Sequence, residues 1–165
     1  MSRGMDRRKK TLRDAMKFEM DGREFFIAAA ERTSDYFGKI IFNSLADEEL
    51  KHIETIKVID RSLREKGEWP FTEDHDEKGR ENIFEAARME MDEIVKDRTD
   101  DLEAVKIAMD FEQKGYRFYS FLAEEATDWR EQEFYQRLAS EEQMHLLILE
   151  DTWRTLVEYS SSSLG

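Results

Sequence analysis

Two of the three histidines in this 165-residue chain stand three positions after a glutamate, in Glu49-Leu50-Lys51-His52 and Glu142-Gln143-Met144-His145. Residues three apart on a helix project from the same side, one turn up, so each pair presents a carboxylate and an imidazole together. Both pairs interrupt apolar stripes, the first between Leu45 and Ile56 and the second between Leu138 and Leu149. A buried carboxylate without a partner costs several kcal/mol, so something must neutralise these groups. Two more glutamates interrupt stripes: Glu19 on Leu12–Met16–Phe26 and Glu112 on Val105–Met109–Tyr119. Four carboxylates carry a charge of −4, which two divalent cations would balance. Carboxylate oxygens with one imidazole per ion suit Fe(II) or Mn(II) better than zinc. Two carboxylates are then left over to bridge the ions.

The elements that must position these residues are written in the chain twice. Shifted by 93 residues, positions 15–56 fall on 108–149 with 14 identities in 42 and no gap. Ala15-Met16-x-Phe18-Glu19 meets Ala108-Met109-x-Phe111-Glu112, and Leu45-Ala46-x-Glu48-Glu49-x-x-His52 meets Leu138-Ala139-x-Glu141-Glu142-x-x-His145. Apolar residues recur at three- and four-residue steps, as in Leu45, Ile56, Ile59 and Leu63, and again in Leu138, Leu149, Trp153 and Leu156. Turn residues separate the helices of each copy: Thr33-Ser34-Asp35 with Gly38 close behind, and Thr127-Asp128. The spacing predicts helices over 6–33, 37–66, 101–126 and 129–158, with Asp100 and Glu103 capping the third. Gly67 to Arg80, with the sole proline Pro70, reads as loop, and 81–97 as a shorter amphipathic helix carrying Ile83, Ala87, Met91 and Ile94. The expected fold is all-α: a four-helix bundle of two duplicated hairpins, joined by one long crossover that contains the short extra helix. In each antiparallel hairpin the two stripe glutamates are level, Glu19 lying 15 residues before Ser34 and Glu49 15 after it. Four glutamates and two histidines thus converge at one depth. Two glutamates and two Glu-x-x-His pairs, projecting inward from four helices, are how such bundles hold di-iron or di-manganese centres.

Composition removes other chemistries. The 39 acidic against 26 basic residues give a net charge of −13, which argues against nucleic acid as a partner. With no cysteine there is no disulfide, thiol nucleophile, zinc ribbon, iron–sulfur cluster or four-cysteine iron site. There is no glycine-rich phosphate loop and no evident Ser/His/Asp set. The longest apolar runs, Phe25 to Ala30 and Leu146 to Leu149, are far below the roughly 18–20 residues that span a bilayer. No apolar run follows the basic Met1 to Lys10 segment, so no secretory signal is read there, and a cytoplasmic protein without a membrane partner is expected.

The stretches Ala15 to Phe26 and Ala108 to Tyr119, with Leu45 to His52 and Leu138 to His145, resemble the helices of the ferritin-like superfamily, most closely its rubrerythrin-like di-iron branch. The resemblance covers about 10–158, within a single domain of 1–165 that has a flexible tail at 160–165. It implies Glu19 and Glu112 as terminal ligands, Glu49 and Glu142 as bridges, and His52 and His145 as one nitrogen ligand per metal. It implies two iron ions, with manganese as the substitute, reacting with O₂ or peroxide as an oxidoreductase or peroxidase. An external electron-transfer protein would then be required, since the rubredoxin domain of rubrerythrins proper has no counterpart in a chain without cysteine. A homodimer is the expected assembly. Ferroxidase and iron storage, or hydroxylation of an organic substrate, are the alternatives that such a bundle leaves open. Rubrerythrins also carry an extra glutamate three residues after the third-helix ligand, which takes part in a redox-linked ligand shift; here that position is Gly115.

Other residues admit two readings. Gly22 and Gly115, one turn beyond Glu19 and Glu112, serve either close helix packing or room beside the metals. Tyr119 lies on the ligand face, where the other copy has Phe26, as a donor to a ligand, a redox-active phenol or a core tyrosine with a satisfied hydroxyl. Met16, Met20, Met109 and Met144 read as core filler. Glu48 and Glu141 point about 100° away from the ligands and read as exterior or interhelical. His75, within Glu73-Asp74-His75-Asp76-Glu77, reads either as a surface metal ligand or, as such runs more often are, as part of a solvated acidic face.

Overall fold

A computed structural model describes residues 3–33, 36–72 and 99–162. Among these residues there are four long helices and no strand: α1 Arg3–Arg32, α2 Tyr36–Glu65, α3 Thr99–Glu125 and α4 Trp129–Ser162. Their bounds fall within a few residues of those expected. The third helix starts at Thr99, which places Asp100 inside the first turn rather than at a cap. The fourth runs to Ser162, four residues past its expected end. The short helix expected over 81–97, the acidic run around His75 and the turn residues Ser34 and Asp35 lie outside the described residues.

Local chemistry sets the element ends. Asp128 caps α4, its carboxylate accepting from the backbone N–H of Arg130 at 2.9 Å. α2 stops at Gly67, whose φ of +69° only glycine adopts freely and whose N–H bonds back to Leu63 O at 3.2 Å. That turn redirects the chain inward. Trp69, in the segment read as loop, is 1% exposed and belongs to the core. Thr72 is fixed by Arg137 of α4, whose guanidinium donates to its carbonyl at 3.1 Å and to its hydroxyl.

The helices pair as two hairpins, α1 with α2 and α3 with α4, whose backbones run close together; the hairpins meet each other at wider backbone spacing. Large side chains fill that wider gap. Phe18 of α1 stacks on Phe111 of α3, with centroids 4.4 Å apart and planes 7° off parallel. Phe18 lies against Gly115 and Phe111 against Gly22, so α1 and α3 run antiparallel. Arg8 of α1 donates to the buried carboxylate of Glu131 on α4 at 3.1 Å, with Arg7 at 3.6 Å from the same group.

Two apolar clusters divide the bundle along its length. One gathers Phe26, Phe37, Ile41, Phe42, Leu45, Leu149 and Leu156. The other gathers Leu12, Ile56, Ile59, Leu63, Trp69, Tyr119, Tyr135 and Leu138. The stripe residues Leu45, Ile56, Ile59 and Leu63 are all buried, as their spacing requires. Met16 and Met109 pack against the core, whereas Met20 and Met144 are 49% and 38% exposed and fill no core space. No described helix is long and apolar enough to cross a membrane.

Candidate metal centre

Glu19, Glu49, His52, Glu112, Glu142 and His145 are each at most 1% exposed and come together between the two apolar clusters. They form two overlapping sets. Glu19, Glu49, His52 and Glu142 make one, and Glu49, Glu112, Glu142 and His145 the other; within each set the donor atoms all lie within 4.8 Å of one another. Glu49 and Glu142 belong to both sets, whereas Glu19, Glu112 and the two histidines each belong to one.

The imidazoles repeat the same geometry. Nδ1 of His52 faces oxygens of Glu19, Glu142 and Glu49 at 3.2, 3.7 and 3.9 Å. Nδ1 of His145 faces oxygens of Glu112, Glu49 and Glu142 at 3.4, 3.6 and 3.9 Å. The rings themselves are 17° from parallel, with centroids 6.0 Å apart. Nδ1 is therefore the nitrogen that each ring offers to the cluster.

Both carboxylate oxygens of Glu49, Glu112 and Glu142 are buried, and among the described residues no donor is in hydrogen-bonding geometry with them. Acceptors that face one another and no donor are held at a cost unless a cation or a proton sits between them. Burial first, and then the charges of their neighbours, push the carboxyls of Glu49 and Glu142 far above the usual carboxylate range. Burial likewise lifts Glu112 to about 7. Burial opposes charge on Glu19 too, but the His52 charge and hydrogen bonds from His52 and Tyr119 outweigh it and bring Glu19 down to about 2. On His52, burial disfavours the proton, yet Glu19 and Glu141 hold its pKa well above the ordinary imidazole value. Hard oxygen acceptors, an imidazole nitrogen in each set and a surplus of negative charge together fit two divalent cations.

Two residues around the cluster are placed by the structure. Tyr119, buried on α3, donates its hydroxyl to Glu19 Oε1 at 2.5 Å, which makes it a donor to a candidate ligand. Glu141, which its helix angle set apart from the ligand face, is the interhelical carboxylate that meets Nε2 of His52. For Nδ1 to offer its lone pair to a cation, Nε2 must keep the hydrogen, and Glu141 there would fix both tautomer and ring orientation. No single-helix projection reveals this, because the partner lies on another helix. Its counterpart Glu48 is nearly buried and receives Lys51 Nζ at 2.9 Å.

The two glycines are resolved in favour of packing. A Cβ on Gly22 would lie 2.7 Å from the Phe111 ring, and one on Gly115 would lie 2.8 Å from the Phe18 ring. The space beside the ligands is thus taken by the stacked phenylalanine pair. Phe18 occupies the room that a side chain at 115 would need, so position 115 offers the cluster no further carboxylate. On the other side, His52 and Glu141 share with Thr55, Thr72, Arg137 and Leu138 the lining of a cavity of about 20 Å³, the size of one water.

No curated protein and no solved structure matches the chain at a significant level. The rubrerythrin family model matches residues 10–152, a stretch that takes in all six converging residues. That match spans far more than half of the chain: the protein belongs to the rubrerythrin family.

Proposed function

We propose that the protein is a redox enzyme whose cluster holds two iron or manganese ions and reduces O₂ or a peroxide with electrons from an external protein donor. The observation that carries this reading is the sharing of Glu49 and Glu142 between two four-residue sets, which suits a pair of bridged ions rather than one. Membership of the rubrerythrin family supports the same reading. When bound, the ions supply redox equivalents and Lewis acidity. The chain's own residues do the rest. Glu19 and His52 would complete one coordination set, and Glu112 and His145 the other. Glu141 keeps the His52 hydrogen on Nε2, leaving Nδ1 as a lone-pair donor. Tyr119 holds Glu19 by its hydroxyl and sets which oxygen faces the ions. The Phe18–Phe111 stack and the apolar clusters exclude water.

The test is metal content together with the optical response of the reduced, loaded protein. Two ions per chain, a spectrum that changes on adding O₂ or H₂O₂, and its reversal by a protein reductant are expected. Failure to bind any transition metal under loading would overturn the reading. Oxidation that builds a ferric core instead of returning to the starting state would replace it with iron storage.

A further inference from the structure

The cluster has a different aromatic neighbour on each side. The 93-residue repeat places Phe26 opposite Tyr119 and Phe42 opposite Tyr135. Phe26 and Phe42 stack with centroids 6.3 Å apart and planes 24° off parallel. Tyr119 and Tyr135 stack almost identically, at 6.2 Å and 17°. Shape is kept in both halves, but only the second half has hydroxyls on the rings. There the series continues: Tyr135 packs edge-on against Trp69 at 5.9 Å, whereas the chain position 93 residues beyond Trp69 is Ser162. Tyr119 and Tyr135 are 0% exposed and Trp69 1%. Phenol and indole give up an electron far more readily than phenyl, and this chain has no cysteine to compete with them.

We propose that Tyr119 and Tyr135 of the second hairpin, with Trp69 from the segment after α2, form a one-electron relay between the carboxylate cluster and the base of the bundle; the repeat-related positions Phe26, Phe42 and Ser162 offer no such series. The proposal rests on the redox reading above. Reduction of H₂O₂ to two waters consumes two electrons, and two protons taken from solvent. Where the protein donor has delivered only one electron, the relay supplies the other. Tyr119 gives one electron inward and passes its phenolic proton along the 2.5 Å hydrogen bond to Glu19 Oε1. An electron then moves from Trp69 through Tyr135 to the Tyr119 phenoxyl, and the proton returns from Glu19. The exchange is reversible, so the oxidising equivalent is shared between Tyr119 and Trp69 until the external donor fills it at Trp69; the electron is taken up by the peroxide and no heavy-atom bond in the relay is made or broken. Among the described residues the Trp69 N–H meets no hydrogen-bond acceptor, and the indole is oxidised with its proton retained. Among the described residues the Tyr135 hydroxyl meets Thr11 at 3.2 Å, a poor base, so Tyr135 passes the electron on without holding a radical. The external donor re-reduces Trp69, which lies two residues from Phe71, 74% exposed.

The relay is testable in the full chain without metal. In a W129F/W153F background Trp69 is the sole indole, and a laser flash that ionises it should give phenoxyl absorbance as the indole radical decays. Tyr135→Phe, which keeps the ring and the stack, should slow that growth at least tenfold with an unchanged circular dichroism spectrum. Tyr119→Phe should remove the long-lived phenoxyl. No phenoxyl in the parent, or equal rates in parent and Tyr135→Phe, overturns the relay. In the iron-loaded chain, H₂O₂ given without reductant should oxidise Trp69, seen by peptide mass spectrometry, and at least tenfold less in Tyr135→Phe. Equal Trp69 oxidation in the two proteins also overturns it. A loaded chain that consumes no peroxide defeats the redox reading instead, while the flash experiment still decides the relay.

Discussion

The first hairpin and the second differ least where they touch the cluster and most one layer away from it. Glu19 and Glu112, the two Glu-x-x-His pairs, Phe18 and Phe111, and Gly22 and Gly115 all recur at the same spacing. Beyond them the halves part. Phe26 and Phe42 become Tyr119 and Tyr135. Gly38, pressed against Thr33, becomes the buried Glu131 tied to Arg7 and Arg8. His52 has Glu141 on its outer nitrogen, and Lys51 occupies an oxygen of Glu48. A duplicated fold therefore presents two near-equal sets of donors in unequal surroundings. Equal donors suit the proposed two-ion site; unequal surroundings would make the two ions separable by experiment.

The sharpest break of that comparison is at the shared glutamates. Glu49→Ala and Glu142→Ala each remove donors from both sets, so bound metal should fall from two ions per chain to well below one. Glu19→Ala and Glu112→Ala each touch one set and should leave about one ion. Elemental analysis after equilibrium dialysis reads the difference, and equal losses across all four variants would abolish the division into shared and single-set residues. In metal-free protein Glu142→Leu should do the reverse and raise stability by about 1–4 kcal/mol, because an unneutralised buried carboxylate is replaced by apolar volume.

Next in size is the acceptor on His52. Glu141→Gln loses the charged acceptor on His52 Nε2 and should weaken one ion about 10–100-fold while leaving the His145 ion unchanged. Two-step metal titration by calorimetry separates them. Equal weakening of both steps would mean that Glu141 acts on the whole cluster.

Acidity affects both halves and carries the next effect. Glu112, lifted to about 7, and Glu49, Glu142 and His52, all raised, bind protons more tightly in the folded chain than in the unfolded one. Their contribution is fully present below the unfolded values and is lost as pH rises through the folded ones. Glu19, lowered to about 2, contributes in the opposite sense, but its window lies below the usual carboxylate pKa. The metal-free protein should therefore lose on the order of a few kcal/mol between about pH 5 and 8. With metal the trend should invert, because ligands bind only when deprotonated. Urea melts at the two pH values, with and without Mn(II), test the sign.

The order of these effects follows what was legible in the residues. Glu19, Glu49, His52, Glu112, Glu142 and His145 could be picked out because each breaks an apolar stripe, and a helix's period is fixed by its own backbone. The four helices were legible for the same reason, and their ends missed only by the length of a fraying turn. Glu141 was not assigned its role because its contact crosses from α4 to α2, and stripe periodicity says nothing of which residue another helix will offer. Trp69 sat in a segment with no periodicity at all, and its burial depends on the left-handed turn at Gly67. Met20 and Met144 were misassigned because being apolar does not fix which face a side chain occupies. The glycines could be located but not interpreted, since the decisive atoms belong to Phe18 and Phe111 on the facing helices.

Those glycines supply the finest test of the two halves. Alanine at an interior helical position gains about 1 kcal/mol over glycine. Forcing a methyl against a packed ring costs about 1–3 kcal/mol. The Phe18–Phe111 stack closes on both sides, so each ring yields only by disturbing the other. Gly22→Ala and Gly115→Ala should each lose up to about 2 kcal/mol on balance. Phe111→Leu should relieve the first and Phe18→Leu the second; alanine variants more stable than the parent would show that the rings move freely. Metal binding should then distinguish the halves. The nearest cluster atom to a Cβ at 115 is Glu142 Oε2 at 3.3 Å, while at 22 it is Glu49 Cδ at 3.7 Å. The first distance is tight enough to displace a shared oxygen, and the second is ordinary contact. Gly115→Ala should weaken metal binding, Gly22→Ala should leave it close to the parent, and both should keep the helical content of the bundle.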